Sequence, residues 1–202
     1  TSLEVNWTEI HGNIPSEIGN LTNITTLSLT GNFLSGEIPP ELGNLTNLTT
    51  LSLSDNGLSG SIPSELGNLI NLTDLNFFDT ALSGEIPSEL GNLVNLNSLE
   101  LHNNNLEGYI PSEIGNLINL TNLHLWNNYL VGDVPLGIWN LNNLVELDLS
   151  TNQLTGSISS NIGSMENLEE FGLSENQFNG LIPESICELE LVGIGLEGNQ
   201  FC

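Results

Sequence analysis

Leu45, Leu48, Leu51, Leu53 and Leu58 set a pattern that returns every 24 residues along the whole chain. The next copies start at Leu69, Leu93, Leu117, Leu141 and Met165, and an earlier one starts at Leu21. A fixed period in the twenties predicts a solenoid, because one such repeat cannot bury its apolar face except against its neighbours. The chain therefore reads as a single domain over 1–202, with a partial repeat at 1–20, seven 24-residue repeats over 21–188 and a C-terminal cap at 189–202. The L-x-L segment of each repeat predicts a short parallel strand, leucines inward and alternate residues outward. Nine such strands from Leu3 to Leu196, spaced by about 4.8 Å, would stack about 40 Å deep.

Three further columns have structural explanations. Asn32, Asn56, Asn104, Asn128, Asn152, Asn176 and Asn199 follow the strands, with Thr8 and Thr80 in the same place; a buried amide there can satisfy turn backbone groups. Glycines from Gly12 to Gly180 permit tight turns, and a proline after each isoleucine stiffens the return segment except at Ser159.

The extended motif N-x-L-x-G-x-I-P-x-x-L-G-x-L resembles the plant-type leucine-rich repeat of receptor-like kinase ectodomains, receptor-like proteins and polygalacturonase-inhibiting proteins. That resemblance implies an α/β solenoid, a right-handed superhelix with a parallel concave β-sheet and short 3-10 turns on the convex side. Members usually carry a preceding cap with paired cysteines, and none is visible before Leu3. A bare first strand would leave an edge and apolar surface open to end-to-end stacking on another copy.

Charge narrows the partners. The chain has 25 acidic residues, three histidines and neither lysine nor arginine. Nucleic acid and anionic membrane surfaces are excluded as partners, since both require cationic side chains. No apolar run approaches the roughly 18 residues of a membrane span, and nothing at Thr1 resembles a leader peptide, so the chain reads as a mature or partial segment without direct membrane insertion.

Several features point to an oxidising, extracellular compartment. Cys187 and Cys202, the only two cysteines, are predicted to close the last turn as a disulfide. Asn6, Asn20, Asn23, Asn44, Asn47, Asn71 and Asn119 each begin an N-x-S/T glycosylation signal. Asn23, Asn47, Asn71 and Asn119 share one column and would carry glycans along one flank, whereas Asn20 and Asn44 are expected closer to the core. Glu17, Glu41, Glu65, Glu89 and Glu113 form a ladder at the starts of the short turns. Exposed amides there favour carboxylates, and calcium binding is the alternative reading.

Function is expected on the outward positions of the concave strands. The column after the second strand leucine reads Asn6, Thr30, Ser54, Phe78, His102, Trp126, Ser150 and Ser174. The column between the leucines reads Glu4, Ser28, Ser52, Asn76, Glu100, His124, Asp148 and Gly172. Phe78, His102 and Trp126 with Glu100, His124, Asp79 and Asp74 are the candidate ligand patch, suited to a sugar ring or a cationic peptide. The bland alternative is that Phe78, His102 and Trp126 only pack on one another. A metal set of Glu100, His102 and His124 is a further alternative, ranked behind because diagonal spacing does not guarantee convergence.

Catalysis is not expected, because no G-x-S-x-G, P-loop or H-E-x-x-H motif is present and no cation could stabilise an anionic transition state. The sequence thus predicts a secreted, glycosylated, non-enzymatic module that binds an extracellular protein, peptide or glycan. An extracellular filament built from stacked copies is the second reading. An ice- or surface-binding hydroxyl array of Thr26, Ser28, Thr30, Thr50, Ser52 and Ser54 is the third.

Overall fold

The first seven turns of the solenoid each lay down one concave strand, one strand of a second sheet and one 3-10 turn, in a computed structural model that describes residues 1–202. The concave strands form a nine-stranded parallel sheet in chain order, from Ser2–Glu4 to Gly193–Gly195. Its register follows the period, so that Leu27 pairs with Leu51, Leu51 with Leu75 and Leu123 with Leu147. The leucines and isoleucines of all turns merge into one core of 50 buried residues. Stability is therefore shared along the stack, as a repeat architecture requires.

The second sheet is a finding that the motif did not announce. Seven short parallel strands, from His11–Asn13 to Gln153–Thr155, run beside the concave sheet through the L-x-G-x segments. Gly84 sits inside one of them, Ala81–Glu85, at φ 76°, which a side-chain-bearing residue adopts only under strain. Proline then starts the 3-10 turns: Pro63, at φ −65°, precedes Ser64–Asn68. At Ser159, where proline is missing, the side-chain oxygen instead accepts from the Asn161 amide at 3.2 Å.

The turns on the convex side stack very closely. A methyl group added at Gly67 would lie 2.5 Å from the Glu89 carbonyl oxygen, so the glycine beside each turn is fixed by backbone approach. The glutamate ladder has a local explanation as well. Glu17, Glu65, Glu89 and Glu113 each take the hydroxyl of the preceding serine at 3.1–3.5 Å. None of the five ladder glutamates is in the one group of side chains whose ligand atoms converge, which is Glu100, His102 and His124.

Two asparagine ladders tie the turns together. In the buried one, Asn56 Nδ2 donates to the carbonyls of Leu29, Leu53 and Ser54 at 3.0 Å, while its Oδ1 accepts from the Leu34 amide at 3.0 Å. In the exposed one, the Nδ2 of Asn47, Asn71 and Asn119 donates to the carbonyl 25 residues earlier at 2.8–2.9 Å. Asn95, Asn143 and Asn167, which begin no glycosylation signal, do the same. That column is therefore a structural ladder first.

The predicted disulfide is not formed. Cys187 and Cys202 are both free and exposed. They belong to different elements: Cys187 lies in the last 3-10 turn, Glu184–Glu188, and Cys202 follows the short strand Gln200–Phe201. Pairing of that strand with Asn179–Gly180, extended by the Cys202 amide to the Gly180 carbonyl at 3.0 Å, holds the last coil without a covalent bridge.

Candidate functional site

Parallel pairing without slippage brings the bulky outward residues of the middle repeats into contact. Phe78, His102 and Trp126 form a continuous stack: the first two rings are 4.8 Å apart and 3° from parallel, the next two 4.6 Å and 14°. Both readings of this row contain part of the result. The three rings pack on one another and are half-buried, yet the row ends at Trp126, whose far face has no aromatic neighbour.

Beyond Trp126 the concave surface steps down. The same column continues as Ser150 and Ser174, and the adjacent column as Asp148, Gly172 and Gly195. The result is an open groove of about 520 Å³, with Trp126 at one end, a floor of serine and glycine, and the carboxylates of Glu146, Asp148 and Glu170 among its lining groups. Gly172 keeps the floor low, since a methyl group there would meet Asp148 Oδ1 at 2.5 Å.

Beside the stack runs a charged chain. His124 Nδ1 donates to Glu100 Oε2 at 2.8 Å, and His124 Nε2 meets Glu146 Oε2 at 3.0 Å. A carboxylate beside each ring nitrogen favours the charged form of His124. His102 Nδ1 lies 3.3 Å from the same Glu100 oxygen, yet this buried nitrogen makes no hydrogen bond. Ser98 Oγ holds the other Glu100 oxygen at 3.0 Å.

Burial alone would raise Glu100, but the imidazoles of His102 and His124 outweigh it and lower the group from its ordinary 4.5 to about 2. Burial likewise disfavours charge on His124, and Glu100, Glu146 and Asp148 overcome it and raise His124 above 6.5. Glu100 thus contributes stability above its ordinary 4.5, and this is lost as pH falls through about 2. His124 contributes stability that is complete below 6.5 and is lost as pH rises through its raised folded value. The network supports the fold best between about pH 4.5 and 6.5. Glu146→Gln is expected to move the His124 titration, followed by NMR, down towards 6.5; an unmoved titration would show that Glu146 carries no charge coupling.

The remaining candidates are placed differently. Asp74 lies on the strand edge, paired with Ser98 and accepting from Thr73 Oγ1 at 2.7 Å, away from the histidines. Asp79 occupies a left-handed turn position, φ 50°, beside a separate polar depression with Asn103 and Asn127. Burial and the neighbouring Asp79 raise the carboxyl of Asp55, an effect that His102 partly offsets. Glu146 and Glu170 were missed as groove residues, although both stand in the strand-edge column that Asp74 begins to acidify. Register alone could have found them. The hydroxyl array is not an open surface: Thr30 and Ser52 bond each other at 2.7 Å, and Ser54 is fully buried.

Comparison with known proteins agrees with this architecture. A family model described as a leucine-rich repeat region matches residues 2–108, and a Leucine Rich Repeat model matches 119–141, 143–165 and 167–189. No curated protein matches the chain. Among solved structures, a plant peptide hormone receptor, RGFR1 in complex with RGF2, is 40% identical over 98% of this chain, with a TM-score of 0.96. The Arabidopsis receptor kinase HAESA, in complex with the peptide hormone IDA and the co-receptor SERK1, is 39% identical over 99% of it, with a TM-score of 0.94. The chain spans about a third of each, 32% and 34% of their lengths. A plant ice-binding protein is 29% identical over 99% of this chain and 73% of its own, with a TM-score of 0.81.

Proposed function

Because the chain belongs to the leucine-rich-repeat family and is of the plant extracellular type, we propose that it is a non-enzymatic recognition module, exposed outside the cell, whose concave face binds an extended peptide or protein segment through a basic side chain. One observation carries this reading: the uncovered face of Trp126 ends a groove that Glu146, Asp148 and Glu170 also line. An aromatic face and several carboxylates attract one ligand chemistry, a guanidinium or ammonium group. The chain has no lysine or arginine, and of these carboxylates His124 engages only Glu146, which leaves Asp148 and Glu170 without a cationic partner of their own. The two receptors that resemble it hold peptide hormones in their complexes, and a peptide fits an open groove better than a small molecule does.

An array of extended peptides differing only in charge tests the proposal. Basic peptides are expected to bind, with affinity falling steeply as salt is raised. Equal binding of neutral or acidic peptides, or binding insensitive to salt, would overturn it. The ice-binding protein among the similar structures brings a second reading to mind, but here three of the six hydroxyls that reading needs are withdrawn, Ser54 by burial and Thr30 and Ser52 by bonding each other.

Glycosylation belongs to the same reading, and the ladder changes where it is expected. Asn20, Asn23 and Asn44 are exposed and their amides make no hydrogen bond, whereas the Nδ2 of Asn47, Asn71 and Asn119 is engaged with the preceding turn. Asn6 is exposed with only its oxygen in use. Glycopeptide mass spectrometry of secreted material should find higher occupancy at Asn20, Asn23 and Asn44 than in the ladder. Uniform occupancy would mean that the ladder bonds open readily.

A further inference from the structure

We infer that Glu100, His102 and His124 form a binding site for a divalent transition-metal ion of the zinc class. One donor atom from each lies within 4.8 Å of the other two. Glu100 Oε2 is 3.3 Å from His102 Nδ1 and 2.8 Å from His124 Nδ1. Two ligands on a tetrahedral zinc stand about 3.3 Å apart, given bonds of about 2.0–2.1 Å; the His102–Glu100 pair already has that spacing, the His124–Glu100 pair must open, and binding displaces the proton held between His124 Nδ1 and Glu100.

Three independent features support a site over a chance cluster. His102 Nδ1 is buried and has no hydrogen-bond partner, a costly state that a metal bond relieves. Each ligand is also oriented from behind: Ser98 fixes one oxygen of Glu100, Glu146 accepts from Nε2 of His124, and Phe78 and Trp126 clamp the ring of His102. Carboxylate-backed histidine is the usual support of a metal ligand. Finally, two imidazoles and one carboxylate select zinc, cobalt, nickel or copper over calcium or magnesium. Three protein ligands leave a coordination position for water or a ligand donor. The inference does not depend on which peptide the groove takes.

The test uses protein stripped with a chelator, in a Cys187→Ser/Cys202→Ser background, since both thiols are free and would compete for metal. Zn2+ titrated by calorimetry is expected to bind once per chain, and Co2+ to give the absorption of a four-coordinate nitrogen–oxygen site. His102 stacks directly on Trp126, so Co2+ should also quench the emission of this tryptophan, and Trp126→Phe should remove that quenching. His102→Ala and His124→Gln are each expected to weaken Zn2+ affinity at least about 100-fold, and Glu146→Gln about tenfold. His11→Gln, outside the cluster, serves as the control and should change nothing. Absence of Zn2+ and Co2+ binding by the folded protein, or binding unaffected by both histidine variants, overturns the proposal. If His102→Ala loses its circular-dichroism signal, His124→Gln and the Trp126 quenching decide alone.

Discussion

Trp126→Ala is expected to weaken binding of a basic peptide by roughly 100-fold, the loss of about 2–3 kcal/mol common when a central aromatic anchor is truncated. Trp126 is the only ring of the stack whose outer face borders the groove, so it alone offers a flat surface to an incoming cation. Phe78→Ala is expected to cost only about threefold, because Phe78 lies at the other end of the stack and does not line the groove. Trp126→Phe should restore most of the affinity, since a phenyl face still accepts a cation. Calorimetry with a chelator present keeps this measurement apart from metal binding. Equal losses in Phe78→Ala and Trp126→Ala would show that the stack matters only as packing, and the groove would then not be the binding site.

Asn56→Ala should produce the largest loss of stability among single polar changes, about 3 kcal/mol, or a midpoint lowered by roughly 6–12 °C. Alanine removes the hydrogen bonds of the Leu53 carbonyl and the Leu34 amide, both buried, at a cost of about 1–3 kcal/mol each before relaxation, while the Leu29 carbonyl still accepts from Asn32 Nδ2 at 2.8 Å. Asn47→Ala is the internal contrast. It removes one exposed bond to the Thr22 carbonyl, which water replaces, and should cost less than about 1 kcal/mol. Denaturant melts of both variants check the pair of values. Similar losses would mean that the buried ladder is not special and that leucine packing alone holds the turns.

What the sequence by itself determined is the solenoid. A strict 24-residue period fixes which Cα stands beside which, and the observed pairing of Glu100 with His124 and of Asn122 with Glu146 follows from counting alone. The buried asparagine column was legible for the same reason, since a polar residue recurring beside core leucines must be satisfied by backbone.

Only the tertiary structure decided what side chains do once they are neighbours. Period places His124 between Glu100 and Asp148, with Glu146 one strand over and two residues back, but rotamers decide that Glu100 and Glu146 reach it and that His102 leaves one nitrogen bare. The second sheet was hidden because glycine and proline in L-x-G-x-I-P read as turn residues, while a positive φ at each glycine lets the backbone keep pairing across them. The sequons are a related case. A sequence motif cannot tell that the amide it names is already donating to the turn below. Cys187 and Cys202 suggested a bridge through their isolation and spacing, but spacing along the chain does not fix the Cα separation and Cβ directions that a disulfide needs, and both cysteines are free.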